Sequence, residues 1–596
     1  MIPNYDAVKG RLQSIAFSAG MLTYAYNATT GQVNSITSPG GTQLSYTYDG
    51  ALLKTMTWSG GPVTGSVIRT FDADFRIASE TAAGQKWSYG YDTDSLLTSA
   101  GALTVTRDAA SGFVTGTSIG TITDTRTYNT FGEPQTYSVN AGANALYSVD
   151  YGTRDALGRI VTKTETILGE THQYVYGYDA VGRLTDVAND GAAAAHYDYD
   201  VNGNRLSAFG LPSTPVYDAQ DRMLAYGACA YSYKSDGSLQ MKTCPDGTTA
   251  YDYDSFGNLR HVTLSNGTNI DYVIDGQNRR VGKKVNGALV EGFLYRNQLQ
   301  PIIWLNGNGT VRATFVYGLH ANAPEYMVAS GVTYRLITDH VGNVRLVVNA
   351  SNGAVAERIE YDEFGNVRSD SAPGFQPFGF AGGMRDIDTG LTRLGARDYD
   401  PSTGRWTAKD PLTFVGGLAN LYSYVGGDPI DRKDPSGLDI LVIEGGPTVG
   451  NPIGHSAIAI TGQGVYSFGT AGTHFGMSLD DYVLSQLNRR DTSMFLIRTS
   501  PDQDAAALAF LRSASRHIGV YTDNCSSRAN GALDAAGISH AGSDAPFADL
   551  FAPPDNLPGS AGFRARAAGG QSLSVPMGSF PFPLDPALNQ FNPGPP

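Results

Sequence analysis

This chain is poor in three things that usually announce a protein's class. Only three of its 596 residues are cysteine, only 16% are charged, and no apolar run approaches a membrane span of ~18 residues. Two of the cysteines, Cys229 and Cys244, lie 15 apart around a hairpin-like stretch. They can pair, but a disulfide needs a particular Cα separation, and the favoured reading is two small buried residues. Lysine is absent after Leu438, where 13 Asp/Glu stand against 8 Arg. With a net charge of −14 over the whole chain, no nucleic-acid partner is expected, and a nuclease is disfavoured. The N-terminal MIPNYDAVKGRLQSIAFSAG lacks an apolar core and a cleavage pattern, so no signal peptide is expected. A metal centre is not expected either. His455, His474, His517 and His540 show no H-x-x-x-H spacing, and C-x-x-C does not occur.

What the chain has instead is tyrosine and glycine. There are 34 Tyr and 72 Gly, a mixture that suits a packed, turn-rich β protein. From Tyr46 onward one phrase recurs, as YTYDGALLKT, YGYDTDSLLTS, YVYGYDAVGRLTDV, YDYDVNGNRLSA, YDYDSFGNLRHV and YDEFGNVRSD. The consensus is Y-x-Y-D-x-x-G-x-L/R, returning at intervals of roughly 20 residues, which marks a repeat architecture. Alternation puts both tyrosines on one face of a strand. Asp opens a turn by accepting backbone N–H groups, and Gly or Asn supplies the positive φ. Each unit is then a short hairpin that must stack on its neighbours to bury a face.

The repeats resemble the YD repeats of the RHS family over about 370 residues. That resemblance implies a β-sheet spiral or shell, here expected over residues 1–370. Glycan binding by the tyrosines is the alternative to simple packing, and Tyr176, Tyr199 and Tyr253 are expected to be packing residues. Residues 371–438 resemble the RHS-associated core, from GFAGGMRDIDTG through RDYDPSTGRWTAKDP to DPIDRKDPSGL. Two Asp-Pro carboxylates, Asp410 and Asp434, stand 24 apart. If they face each other, one holds a proton and the other activates water. Arg397 can keep one ionised or polarise a carbonyl. The resemblance implies self-cleavage between Leu438 and Asp439, with Arg397 and Asp410 at catalytic positions and Asp434 in the scissile phrase.

Residues 439–596 read as a separate C-terminal effector. Strands are expected at 439–443, 453–460, 464–470 and 494–499. A helix capped by Ser500 with Gln503 should follow, and a second should run from Asn524 to Gly537. Cys525 falls in the first turn of that second helix, where free N–H groups favour a thiolate. His455 can act as its base, with Ser467 or Tyr466 as a third member and His474 behind them. The pairs Gly454-His455-Ser456 and Asn524-Cys525-Ser526 resemble permuted papain-like enzymes of the NlpC/P60 and lecithin:retinol acyltransferase groups. The expected fold is therefore mostly β, followed by a small α+β papain-like domain. The expected function is a polymorphic toxin whose shell releases a cysteine-dependent hydrolase or acyltransferase, with no cofactor. The resemblance further implies a cognate immunity protein, a secretion or N-terminal delivery component, and a secreted or cell-surface location. An adhesion protein with an inert tail, or a toxin of other chemistry such as a nuclease or deaminase, remains as an alternative.

Overall fold

A computed structural model describes residues 1–410 except 7 and 209, then 420–435, and six strands between 440 and 575. The chain divides into two compact units. One comprises Met1–Ala408 with Tyr422–Pro435, and the other Lys409–Leu421 with Ser436–Pro596. Strand β35 ends at Asp370, the last residue of the expected repeat region.

The first unit is built from two long antiparallel meanders. Strands β1 (Ile2–Tyr5) to β19 (Ala192–His196) pair each with the next, and so do β20 (Val216–Tyr217) to β35 (Val367–Asp370). A third, four-stranded sheet follows: β36 (Met384–Arg385), β37 (Thr392–Leu394), β38 (Arg397–Asp400) and β39 (Arg405–Trp406).

The repeat phrase explains this regularity. At Asp179, carboxylate Oδ1 accepts the N–H of Val181 at 3.0 Å and that of Arg183 at 2.9 Å. Gly182, at φ 95°, turns the chain as expected. Arg183 donates Nε–H to Asp179 Oδ2 at 2.6 Å, so the side chain four residues on locks the turn that the Asp opened. Its guanidinium then lies over the ring of Tyr199 in the next unit, 4.9 Å from the centroid. The Tyr199 hydroxyl in turn donates to Leu184 O at 2.9 Å, on the strand that Arg183 leads into. Asp72, Arg76 and Tyr91 repeat this chain of contacts, as do Asp155, Arg159 and Tyr178. Each of these three turns is therefore fastened to the next by one arginine and one tyrosine, while Asn204, Asn258, Asn343 and Asn366 take the arginine's place on their own Asp in other turns.

This arrangement settles what these tyrosines do. Tyr176 and Tyr253 are each only 4% exposed, and Tyr199 is half-buried with its hydroxyl occupied. They are packing residues, as expected. Tyr199→Phe should lower unfolding stability by about 1 kcal/mol, the net worth of one hydrogen bond. Denaturant titration of the purified chain measures it, and a neutral variant would mean that the Leu184 contact contributes nothing.

The meanders are joined by polar contacts as well as by apolar packing. Trp58 of the first donates Nε1–H to Asp275 of the second at 3.0 Å. Thr121 N–H bonds Ala350 O at 2.7 Å, and Arg345 reaches Glu165 at 3.0 Å. The reading of Cys229 and Cys244 as unpaired is corrected here, because they form a disulfide. Strands β22 (Cys229–Tyr233) and β23 (Leu239–Cys244) pair with Ala230 opposite Thr243. That register brings the next two positions face to face, with Cα atoms 4.2 Å apart.

In the second unit six strands form one antiparallel sheet, in the order β43-β42-β41-β40-β44-β45. They are β40 (Ile440–Gly445), β41 (His455–Ile460), β42 (Gly464–Gly469), β43 (Gly472–Met477), β44 (Thr492–Ile497) and β45 (Gln571–Val575). Four match the expected strands to within two residues, while β43 and β45 were not anticipated. The two expected helices lie outside the described residues.

Candidate functional site

The junction sequence folds onto the third sheet. Phe380, Tyr399, Trp406 and Tyr424 make a buried aromatic cluster, with Tyr399 and Tyr424 centroids 4.6 Å apart. Trp406 is placed by β39 and by its N–H bond to Tyr422 O at 3.0 Å. Arg397, the first residue of β38, is 3% exposed and lies over the Trp406 ring at 4.0 Å. Its Nη2 donates to Asp434 Oδ2 at 3.0 Å. The neighbouring Asp398 is equally enclosed and accepts from Arg280 at 2.7 Å and from Arg393 at 2.9 Å. One strand thus presents a cation and an anion from successive positions to different partners.

Two of the residues singled out from sequence are therefore in contact. Arg397 and Asp434 form an ion pair whose side chains are 4% and 14% exposed. The pair holds Asp434, the first residue of the D-P-S-G-L phrase, against β38. Asp410 is 3% exposed and donates its backbone N–H to Leu421 O at 2.9 Å. It belongs to the second compact unit. The bond between Leu438 and Asp439 lies outside the described residues.

The segment just before Asp434 is tied to both meanders. Asp431 accepts the N–H of Ile160 at 3.0 Å, and the Tyr178 hydroxyl lies 3.0 Å from its other oxygen. His340 Nε2 meets Ile430 O at 2.7 Å. Burial holds the His340 imidazole near pKa 4, so Nε2–H of the neutral ring is the donor. Sequence reading had not singled out Asp431 or His340. Asp431 carried a visible signal, as the middle carboxylate of DPIDRKDP, whereas His340 carried none.

In the second unit His455 opens β41 and Ser467 lies on β42, opposite Ala457. His474 on β43 pairs with Ser467. Cys525 lies outside the described residues, so its expected approach to His455 does too. Among the described residues no group of His, Cys, Asp or Glu has the arrangement of a metal site. No helix among them is long and apolar enough to cross a membrane.

The family described as the teneurin YD-shell matches residues 1–430. The chain belongs to that family. Human Teneurin-1 is 30% identical over 273 residues, covering 44% of this chain and 10% of that protein. Human Teneurin-4 is 27% identical over 330 residues, covering 52% and 12%. The chain thus spans about a tenth of the length of the curated relatives it matches. Among solved structures, the TcdB2-TccC3-Cdc42 crystal structure is similar over 73% of this chain and 27% of that one, at 16% identity and a TM-score of 0.39. The YD-shell match ends at residue 430, eight residues before the expected scissile bond, so it includes Arg397 and stops short of Asp434.

Proposed function

We propose that this YD-shell carries the machinery to cut its own chain after Leu438 and so to release a C-terminal effector. The observation that supports the reading is the Arg397–Asp434 pair. It holds Asp434, four residues before Leu438, on β38 through a cation that also lies over Trp406. Positioning of this kind is a main source of rate in intramolecular reactions. In this reading water adds to the Leu438 carbonyl carbon as Asp434 takes its proton, and Asp410 gives a proton to the Asp439 nitrogen as the C–N bond breaks, leaving a Leu438 carboxyl and a free Asp439 amine. Arg397 positions Asp434 and offers charge to the developing oxyanion.

The effector is proposed to be a hydrolase or acyltransferase using Cys525 as nucleophile and His455 as base, with Ser467 as the third member. Its target lies in a competitor cell. An immunity protein would protect the producer, and a delivery component would export the chain. The test is expression of residues 439–596 in a bacterial host. Arrested growth is expected, and it should be lost in both Cys525→Ala and His455→Ala. A fragment that stays toxic without Cys525 would remove the cysteine chemistry from the reading. A fragment that is harmless throughout would favour an adhesion role for the shell, with an inert tail.

A further inference from the structure

Residues 425–434 form a short strap that touches every part of the first unit described above. Gly427, at φ 84°, packs against the Arg183 side chain of a repeat turn. Asp431 is held by Ile160 and Tyr178 of the first meander, and its oxygen lies 3.7 Å from Arg154. Ile430 O is held by His340 of the second meander, and Lys433 Nζ lies 3.4 Å from His340 O. Asp434 is held by Arg397 of the third sheet.

One member of the strap fits poorly as a charge. Asp428 is 1% exposed. Its Oδ1 accepts the N–H of Asp431 at 3.2 Å, whereas its Oδ2 is buried with no hydrogen-bond partner. The cation beside it on the strap, Arg432, is 3.7 Å away and 64% exposed. From the first meander Arg159 faces it but is engaged by Asp155 at 2.6 Å, and Tyr178 adds a neutral phenol; on the strap itself Asp431 adds a second carboxyl, which burial also raises above its ordinary range. From the second meander His340 is neutral, and Lys433 is directed to its carbonyl. An ionised carboxylate in such a place is under-compensated, and a protonated one is tolerated.

We propose that residues 428–434 are a pH-operated latch, closed when Asp428 is protonated and loosened when it ionises beside Asp431. Burial first, and then Asp431, raises the Asp428 carboxyl to about 6, against an ordinary 3.8. The sign follows from linkage. The closed strap has its full advantage below the ordinary carboxyl range and loses it as pH rises to about 6. A shift of this size is worth roughly a hundredfold in the closed-to-open ratio. Because the latch ends at Asp434, opening it loosens the segment that Arg397 positions. The inference does not depend on whether the chain cuts itself.

Hydrogen exchange on the full-length chain tests it, followed at the amides of Ile430 to Asp434 and corrected for intrinsic rates. In the wild type, protection should fall about a hundredfold between pH 4 and pH 7 and level off above 6. Asp428→Asn should stay protected throughout. Arg432→Ala, an exposed change that spares folding, should extend the fall to higher pH by removing the nearest cation. A flat wild-type profile would overturn the proposal. So would a pH step that persists in Asp428→Asn, or one that does not move in Arg432→Ala. Mass analysis of the same samples reports separately whether the chain has been cut.

Discussion

Purified full-length chain is expected to resolve under denaturing conditions into pieces of 438 and 158 residues, and Asp410→Asn to leave it whole. An amide cannot give up and recover a proton, so the proposed acid is removed while shape is kept. Arg397→Gln should slow the cut at least about a hundredfold, the scale of losing one charge-stabilising donor. It removes the cation that holds Asp434 at 3.0 Å. Since Arg397 also covers Trp406, the variant's thermal midpoint must be read alongside its cleavage rate. Intact-mass spectrometry decides the matter. Wild-type chain found only at full mass would sink the self-cleavage reading. Cleavage at normal speed in Arg397→Gln would show that the ion pair is structural only.

The largest stability loss is expected at Arg335. Its side chain is 2% exposed and bonds Glu325 at 2.6 Å and Asp124 at 3.3 Å. Asp124 lies in the first meander and Arg335 in the second, so the cluster fastens the two. Burial alone would raise the Glu325 carboxyl, but His320 and Arg335 outweigh it and hold it well below its usual range. Arg335→Ala removes the cation shared by two buried carboxylates, leaving Glu325 to His320 and Asp124 to Arg126, at a cost of about 3 kcal/mol, the lower end for breaking a buried pair. Glu325 has a lowered value in the fold, so its contribution is present above the ordinary carboxyl range and is lost as pH falls through the lowered one. The gap between variant and wild type should therefore be widest near pH 7 and narrow on acidification. Thermal unfolding at several pH values measures it, and a loss below 1 kcal/mol at pH 7 would mean that water reaches the cluster.

Much of this was legible from sequence because it is local. The Y-x-Y-D-x-x-G phrase contains its own turn: the acceptor, the positive-φ residue and the side chain that locks the Asp all lie within five positions. Hydrogen bonds closed over so short a span need no partner from elsewhere in the chain, so strand alternation and turn placement followed directly. The four strands expected after Asp439 were readable for the same reason. The Asp-Pro phrases drew attention to Asp434, although the sequence did not say which residue it would meet.

Pairings across the chain were decided only by the tertiary structure. Asp124 and Arg335 are 211 residues apart, and Ile160 and Asp431 are 271 apart. No periodicity links such positions, because what joins them is how one meander stacks on the other and where the 425–434 strap crosses them. Cys229 and Cys244 are closer in sequence, yet their bond depended on a register that brings one pair of positions opposite. The same holds for the two carboxylates of the strap. Asp431 is satisfied because Ile160 and Tyr178 happen to face it, and Asp428 is not, because the cations around it are already engaged or exposed. Sequence by itself determined the repeat and its turns, since those depend on neighbours along the chain. The partner of each buried charge was decided by packing, since burial raises the energy of every unmatched charge and only the folded arrangement says which ones are matched.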